Sequence, residues 1–265
     1  MPVPMGSLLA DLTAETAVVD RMVAALPPME WDRATPAAGW AIRDQISHLA
    51  YFDEAATLAS TLPDEFRASA EGLAALGPDF PDQVALQYRD TPSADLLSWF
   101  RDARASLTRA FAGVEATARL PWYGPDMSAA SSVTARLMET WAHGQDIADA
   151  LGLFREPTSR LRHIAHLGVR TFGFSFALHG LAVPHVPPLV ELTGPSGETW
   201  SWGPVGAADT VSGPALDFCL VVTQRRQLAD TDLRVTGPVA AKWMSIAQAF
   251  AGAPGPGRPR RRDAR

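Results

Sequence analysis

Four stretches of this chain repeat apolar residues at helical spacing, and no strand-like run separates them. That pattern limits the fold more than any other feature of the sequence. Residues 5–27 align Leu8, Leu12, Val19, Met22, Val23 and Leu26 along one side of a helix. "PPMEWDRATPAAGW" breaks it, and a second helix follows over about 42–58 with Ile46 and Leu49 on its apolar side. The connection 61–91 is long and mixed, with a short helix expected near 81–86. A third helix spans 93–112 through Leu96, Leu97, Phe100, Leu107 and Phe111. "LPWYGPDMSAASS" then leads into a fourth over 132–151, for which Ser131 or Ser132 is available as a cap. Four helices with two long connections predict a bundle, and no GxGxxG or Walker loop follows a strand.

The texture changes further on. A fifth helix is expected over 158–179; after "VPHVPP" come strands at 188–193 and 198–202 around a "GPSG" turn. A helix in "SGPALDFCLVVTQRR", a short strand in "DLRVTG" and a last helix in "PVAAKWMSIAQAF" complete an α+β region. The expected organisation is a helical bundle over 1–155, a connecting helix over 156–182, an α+β domain over 183–254 and a disordered Arg-rich tail over 255–265.

Composition narrows the function classes. With 265 residues, 47% hydrophobic and 20% charged, the chain is globular and large enough for one large or two smaller domains. A net charge of -6 gives no general pull toward nucleic acid or anionic lipid, so neither is an expected partner. No run approaches the ~18 apolar residues of a membrane span. Asp11, Glu15 and Asp20 interrupt the N-terminus too early for a signal peptide, which makes the cytoplasm the default location. The single cysteine, Cys219 in "LDFCLVV", excludes an intrachain disulfide and reads as a buried core thiol.

Chemistry gathers in "LMETWAHGQDIAD". Glu139 and His143 are four residues apart, and at about 100° per residue they share a helix face. The second helix carries His48 in "IRDQISHLAYFDEA". One carboxylate and two imidazoles from two helices suit a divalent ion such as zinc, nickel or iron, with open positions for water or a thiolate. The same residues also read as a solvated histidine and an ordinary helix-stabilising pair. Asp44, one turn before His48, and Asp146, three residues after His143, are either acceptors for the imidazoles or common helix acids. Trp141 reads as packing. His163, His166 and Arg170 fall on one face of the fifth helix, a basic stripe that meets either an anionic substrate or solvent.

"GWAIRDQISHLAYFD", followed far downstream by "ETWAHGQDIADALG", resembles the DinB-like metal-binding bundle of the mycothiol-dependent maleylpyruvate isomerase family. Residues 188–252, with "GPALDFCLVVTQRR" and "DLRVTGPVAAKWMSIAQAFAGAPGPG", resemble its companion C-terminal domain. The likeness spans 5–255 and is nearest to a branch described as an uncharacterised metal-binding family. It implies a DinB-like four-helix bundle followed by a small α+β domain. It further implies a divalent metal, often zinc, on His48, Glu139 and His143, with water completing its shell. A basic residue of the C-terminal domain, matched by Arg225 or Arg226, is implied near the metal.

In the isomerase, the resemblance implies that mycothiol adds to a cis double bond, permits rotation and leaves the trans product. Other relatives look like thiol transferases. In either case the metal would hold the thiolate and an arginine a carboxylate or enolate oxygen. The expectation is thus a metal- and mycothiol-dependent isomerase or S-transferase acting on a small electrophilic acid. A metal-dependent hydrolase and a non-catalytic small-molecule or thiol binder are the alternatives, and thiol dependence separates them.

Overall fold

The structure, a computed structural model, describes residues 3–77, 79–255 and 257–260. The chain forms two compact units, Met1–Arg155 and Glu156–Arg265.

In the first unit, α1 (Met5–Val23), α2 (Ile42–Thr61), α5 (Ser93–Phe111) and α6 (Ala129–Leu151) make the bundle, with α2 packed on α5 and α6, and α1 on α6. Val19, Val23, Trp31, Ile42, Ile46, Leu49, Leu96, Phe100 and Ile147 fill its core. The expected first helix ends earlier, at Val23, and a 3-10 turn over Pro28–Asp32 follows, inserting Trp31. The 61–91 connection holds two helices rather than one, α3 (Pro63–Ala74) and α4 (Phe80–Gln87). Pro63 and Pro81 both sit in a first turn, where the missing N–H costs nothing. A short hairpin, β1 (Arg119–Leu120) with β2 (Met127–Ser128), leads into α6. The cap is Ser128, not Ser131 or Ser132: its Oγ accepts the Ser131 N–H at 3.1 Å, so the helix starts three residues before 132. Gly144 brings α6 close to α1, since a Cβ there would lie 2.8 Å from Val19 Cγ2. Arg155 ties the same two helices by donating to Glu15 and, at 2.8 Å, to the Trp141 carbonyl.

In the second unit the expected fifth helix is two helices, α7 (Leu161–Arg170) and α8 (Phe172–Leu178). They part at Thr171, whose hydroxyl donates to the Gly168 carbonyl at 3.0 Å and competes locally with the helical ladder. A four-stranded sheet follows in the order β4 (Thr199–Trp202), β3 (Leu189–Thr193), β5 (Thr210–Pro214), β6 (Arg234–Thr236). β3 and β5 are parallel, with Val190 beside Val211, and both edge pairings are antiparallel. Val190, Leu192, Trp200 and Val211 are buried; α9 (Ala215–Val222) packs on β3 and β5, and α10 (Pro238–Ile246) on β6. The helix expected from Ser212 therefore begins later, because the preceding residues are spent on β5. α7 packs closely on α9: a Cβ at Gly168 would sit 2.8 Å from Val222 Cγ2.

Pro256 and 261–265 of the expected disordered tail lie outside the described residues, and the Arg258 carbonyl accepts from Gln227 at 2.7 Å. Among the described residues no helix is long and apolar enough to cross a membrane.

Candidate metal centre

Where α2 crosses α6, His48 meets Glu139 and His143. Ligand atoms of all three lie within 4.8 Å of one another. Glu139 Oε2 is 3.0 Å from His143 Nε2 and 3.7 Å from His48 Nε2. The side chains of His48 and Glu139 are only 11% and 19% exposed, and His143 is buried.

Hydrogen bonding fixes the chemistry of His143. Its Nδ1–H donates to Gln45 Oε1, and the Gln45 amide is itself oriented by donating to Thr35 Oγ1 at 2.9 Å. Gln45 thereby fixes the His143 ring so that Nε2 faces Glu139. Burial and the neighbouring His143 pull the His48 pKa down from 6.5 to about 3, so this imidazole is neutral at neutral pH. Burial alone would raise Glu139, but hydrogen bonding with His143 and His48 prevails and holds the carboxyl well below its usual range. Two imidazole nitrogens and a carboxylate converging out of water call for a positive charge among them, either a proton or a metal ion. Ligands about 2.1 Å from a tetrahedral ion lie about 3.4 Å apart. The observed 3.0 and 3.7 Å bracket that spacing, so the residues fit a divalent ion.

Rings, rather than a second hydrogen bond, hold His48. Its Nδ1 is buried with no hydrogen-bond partner, and its ring lies 4.5 Å from Phe52, 4.3 Å from His143 and 5.3 Å from Trp40. Trp40 also stacks on His143 at 5.8 Å and donates its indole N–H to Asp82 on α4 at 2.6 Å. Gln45, Trp40 and Thr35 were not picked out from the sequence. Gln45 carried a usable signal, because it precedes His48 by three residues and so shares its face.

The sequence profile of the mycothiol maleylpyruvate isomerase N-terminal domain matches residues 12–148. This chain belongs to that family. Two Mycobacterium tuberculosis relatives, "Uncharacterized protein MT0041" (strain CDC 1551 / Oshkosh) and "Uncharacterized protein Rv0036c" (strain ATCC 25618 / H37Rv), are each 49% identical over 96% of this chain and 98% of their own. Crystal structures of the mycothiol-dependent maleylpyruvate isomerase and of a point mutant of it share the fold at 16% identity and a TM-score of 0.58. The first covers 97% of this chain and 97% of the isomerase, and the mutant 84% and 90%. Residues 184–236 of this family member also match a profile described as wyosine base formation.

The other sequence candidates fall in several places. Asp44, considered as an acceptor for His48, faces elsewhere: it accepts the Ala41 N–H at 2.7 Å, closing the first turn of α2, and pairs with Arg89 at 3.1 Å. Asp146 is fully buried one turn beyond His143, and Trp141 is buried as packing. In the second unit His163, His166 and Arg170 lie on α7. His166 accepts the Trp202 indole N–H at 3.2 Å; burial, then Arg170 and His163, lower its pKa. Arg225 and Arg226 follow α9, where Arg225 donates to the Thr223 carbonyl at 2.7 Å. Arg226 lines a cavity of about 470 Å³ with Gln224, Gln227 and Met244.

Proposed function

We propose that this chain is a metal-dependent enzyme that uses a low-molecular-weight thiol either to isomerise a small electrophilic acid or to add the thiol to it as an S-transferase. The observation that carries the reading is the convergence of His48, Glu139 and His143, with the His143 ring fixed by Gln45 so that Nε2 faces Glu139. His48, Glu139 and His143 would hold a divalent ion, most simply zinc. Such an ion supplies a Lewis acid that lowers the pKa of a thiol or water brought to it.

The chain's own residues do the rest. Glu139 stays ionised and His48 neutral at neutral pH, which leaves a carboxylate and an imidazole ready for a cation. Trp40, Phe52 and His143 wall off water around His48. The thiol comes from outside, since Cys219 is fully buried. Mycothiol is the first to test, because the solved relative in fold is a mycothiol-dependent isomerase.

The deciding experiment measures metal content of protein purified without chelator, beside His48→Ala and Glu139→Ala, and titrates mycothiol into the loaded form. One metal per chain, lost in both variants, with saturable thiol binding supports the reading. Metal without thiol affinity would turn it toward a hydrolase or a sequestering protein; absence of metal would overturn it.

A further inference from the structure

A second charged group stands on the ligand-bearing face of α6. Arg136 precedes Glu139 by one turn and His143 by two, and its side chain is only 4% exposed. Its Nε donates to Asp53 Oδ1 at 3.1 Å, while Arg104 Nε donates to Asp53 Oδ2 at 2.6 Å. Two guanidinium groups thus share one carboxylate, leaving a net positive charge out of water. Each nitrogen of Arg104 has an acceptor, Nη1 donating at 2.9 Å to Thr16 Oγ1 and Nη2 at 2.9 Å to Thr140 Oγ1. Arg136 is not: its Nη2 is buried and meets no acceptor. Folding rarely leaves a charged donor desolvated and unpaired, because water would have satisfied it in the unfolded chain.

The position of Arg136 suggests its use. Its Cζ lies 5.9 Å from the centre of the Phe52 ring, and the same ring lies 4.5 Å from His48. Its charge also reaches Tyr123, opposing the burial that raises the pKa of that phenol. The Tyr123 ring packs on Phe52 at 5.7 Å and lines a cavity of about 590 Å³ walled by Phe66, Phe80 and Trp122. Arg136 therefore lies against Phe52, a ring that touches both His48 and Tyr123 of the cavity wall.

We propose that Arg136 is the anion-binding residue of the His48–Glu139–His143 centre, its Nη2 taking a carboxylate oxygen of a small ligand whose planar apolar body lies against Phe52 and Tyr123. Placing that ligand beside a metal rests on the function proposed above, whereas the anion site itself is built from Arg136, Asp53 and the aromatic rings. It is also separate from the role given to Arg225 or Arg226, which belong to the other unit.

The test is calorimetric titration of benzoate and of its neutral isostere benzamide into the full-length protein, zinc-loaded and chelated. Benzoate can ligate zinc directly, so the chelated form isolates Arg136. Wild-type protein should bind benzoate on the order of tenfold tighter than benzamide in both forms. Arg136→Lys, which keeps a cation beside Asp53 but loses the fork, should lose on the order of tenfold in benzoate affinity with zinc stoichiometry unchanged. Equal affinity for benzoate and benzamide in chelated wild-type protein, or no binding of either, would overturn the proposal without needing any variant to fold. So would an Arg136→Lys protein that binds benzoate like wild type. Arg136-dependent binding in a protein that takes up no zinc would sink the metal reading and leave this site standing. Zinc uptake with Arg136-independent binding would do the reverse.

Discussion

Gln45 Oε1 accepts the Nδ1–H of His143 and so joins α2 to α6 across the ligand cluster. The contact does for His143 what the imidazole cannot do for itself: it selects the tautomer and fixes the ring plane. Removing such a partner from a ligating histidine typically lowers metal affinity about 10–100-fold. Gln45→Ala is therefore expected to lose zinc in that range in competition with a chromogenic chelator, while far-UV circular dichroism stays that of the wild type. Undiminished affinity would show that His143 is oriented by its neighbours alone.

Asp44 gives the opposite expectation from a neighbouring position. Its carboxylate closes the first turn of α2 through the Ala41 N–H and meets Arg89, whose side chain is 42% exposed. With Arg89 largely solvated the ion pair adds little, and the capping contact contributes about 1 kcal/mol. Asp44→Ala should lower the urea midpoint accordingly and leave zinc stoichiometry at the wild-type value. Loss of metal without loss of stability would place Asp44 back in the service of His48.

The contrast between these two residues marks how far the sequence could be read. Glu139 and His143 were legible because i and i+4 share a face whatever the helix packs against. The meeting with His48 depends on α2 crossing α6, and the bundle pattern together with the resemblance pointed to it. Gln45 and Asp44 flank the same turn of α2, yet only the tertiary partners, His143 and Arg89, assign them different work. Arg136 was harder still: a charge in a helix reads as a solvated face, and its acceptor Asp53 lies 83 residues away. β5 was hidden for a related reason, since Gly213 and Pro214 look like a turn and its pairing with β3 is parallel and non-local. The division at Thr171 turns on one hydroxyl contact, too weak a signal to stand out from the helical pattern around it.

Cys219 should not behave as a functional thiol. It is fully buried in α9, its Sγ donates to the Leu161 carbonyl at 3.4 Å, and burial pushes its pKa up. Native protein is expected to resist a disulfide reagent such as DTNB, with one thiol per chain released on addition of denaturant. A Cys219→Ala protein should keep any activity measured with added thiol. Rapid labelling of the native protein, or loss of turnover in that variant, would contradict an external thiol source.

Acid should weaken the metal-free protein in part through His48. Burial and His143 set its folded pKa at about 3 against an ordinary 6.5. Between those values the unfolded chain carries a proton on His48 that the folded chain refuses. The unfolded state then binds more protons, so stability falls as pH falls, by at most about 1.4 kcal/mol per pH unit. Above 6.5 neither state is protonated there and the contribution vanishes. Urea unfolding of chelated wild type and His48→Gln at about pH 7 and about pH 5 isolates this effect. Wild type should lose up to about 2 kcal/mol more than the variant between the two conditions, because glutamine has no proton to take up. Equal losses would mean that His48 is protonated in the folded protein as readily as in the unfolded chain, and that its neighbours do not keep it neutral for a metal.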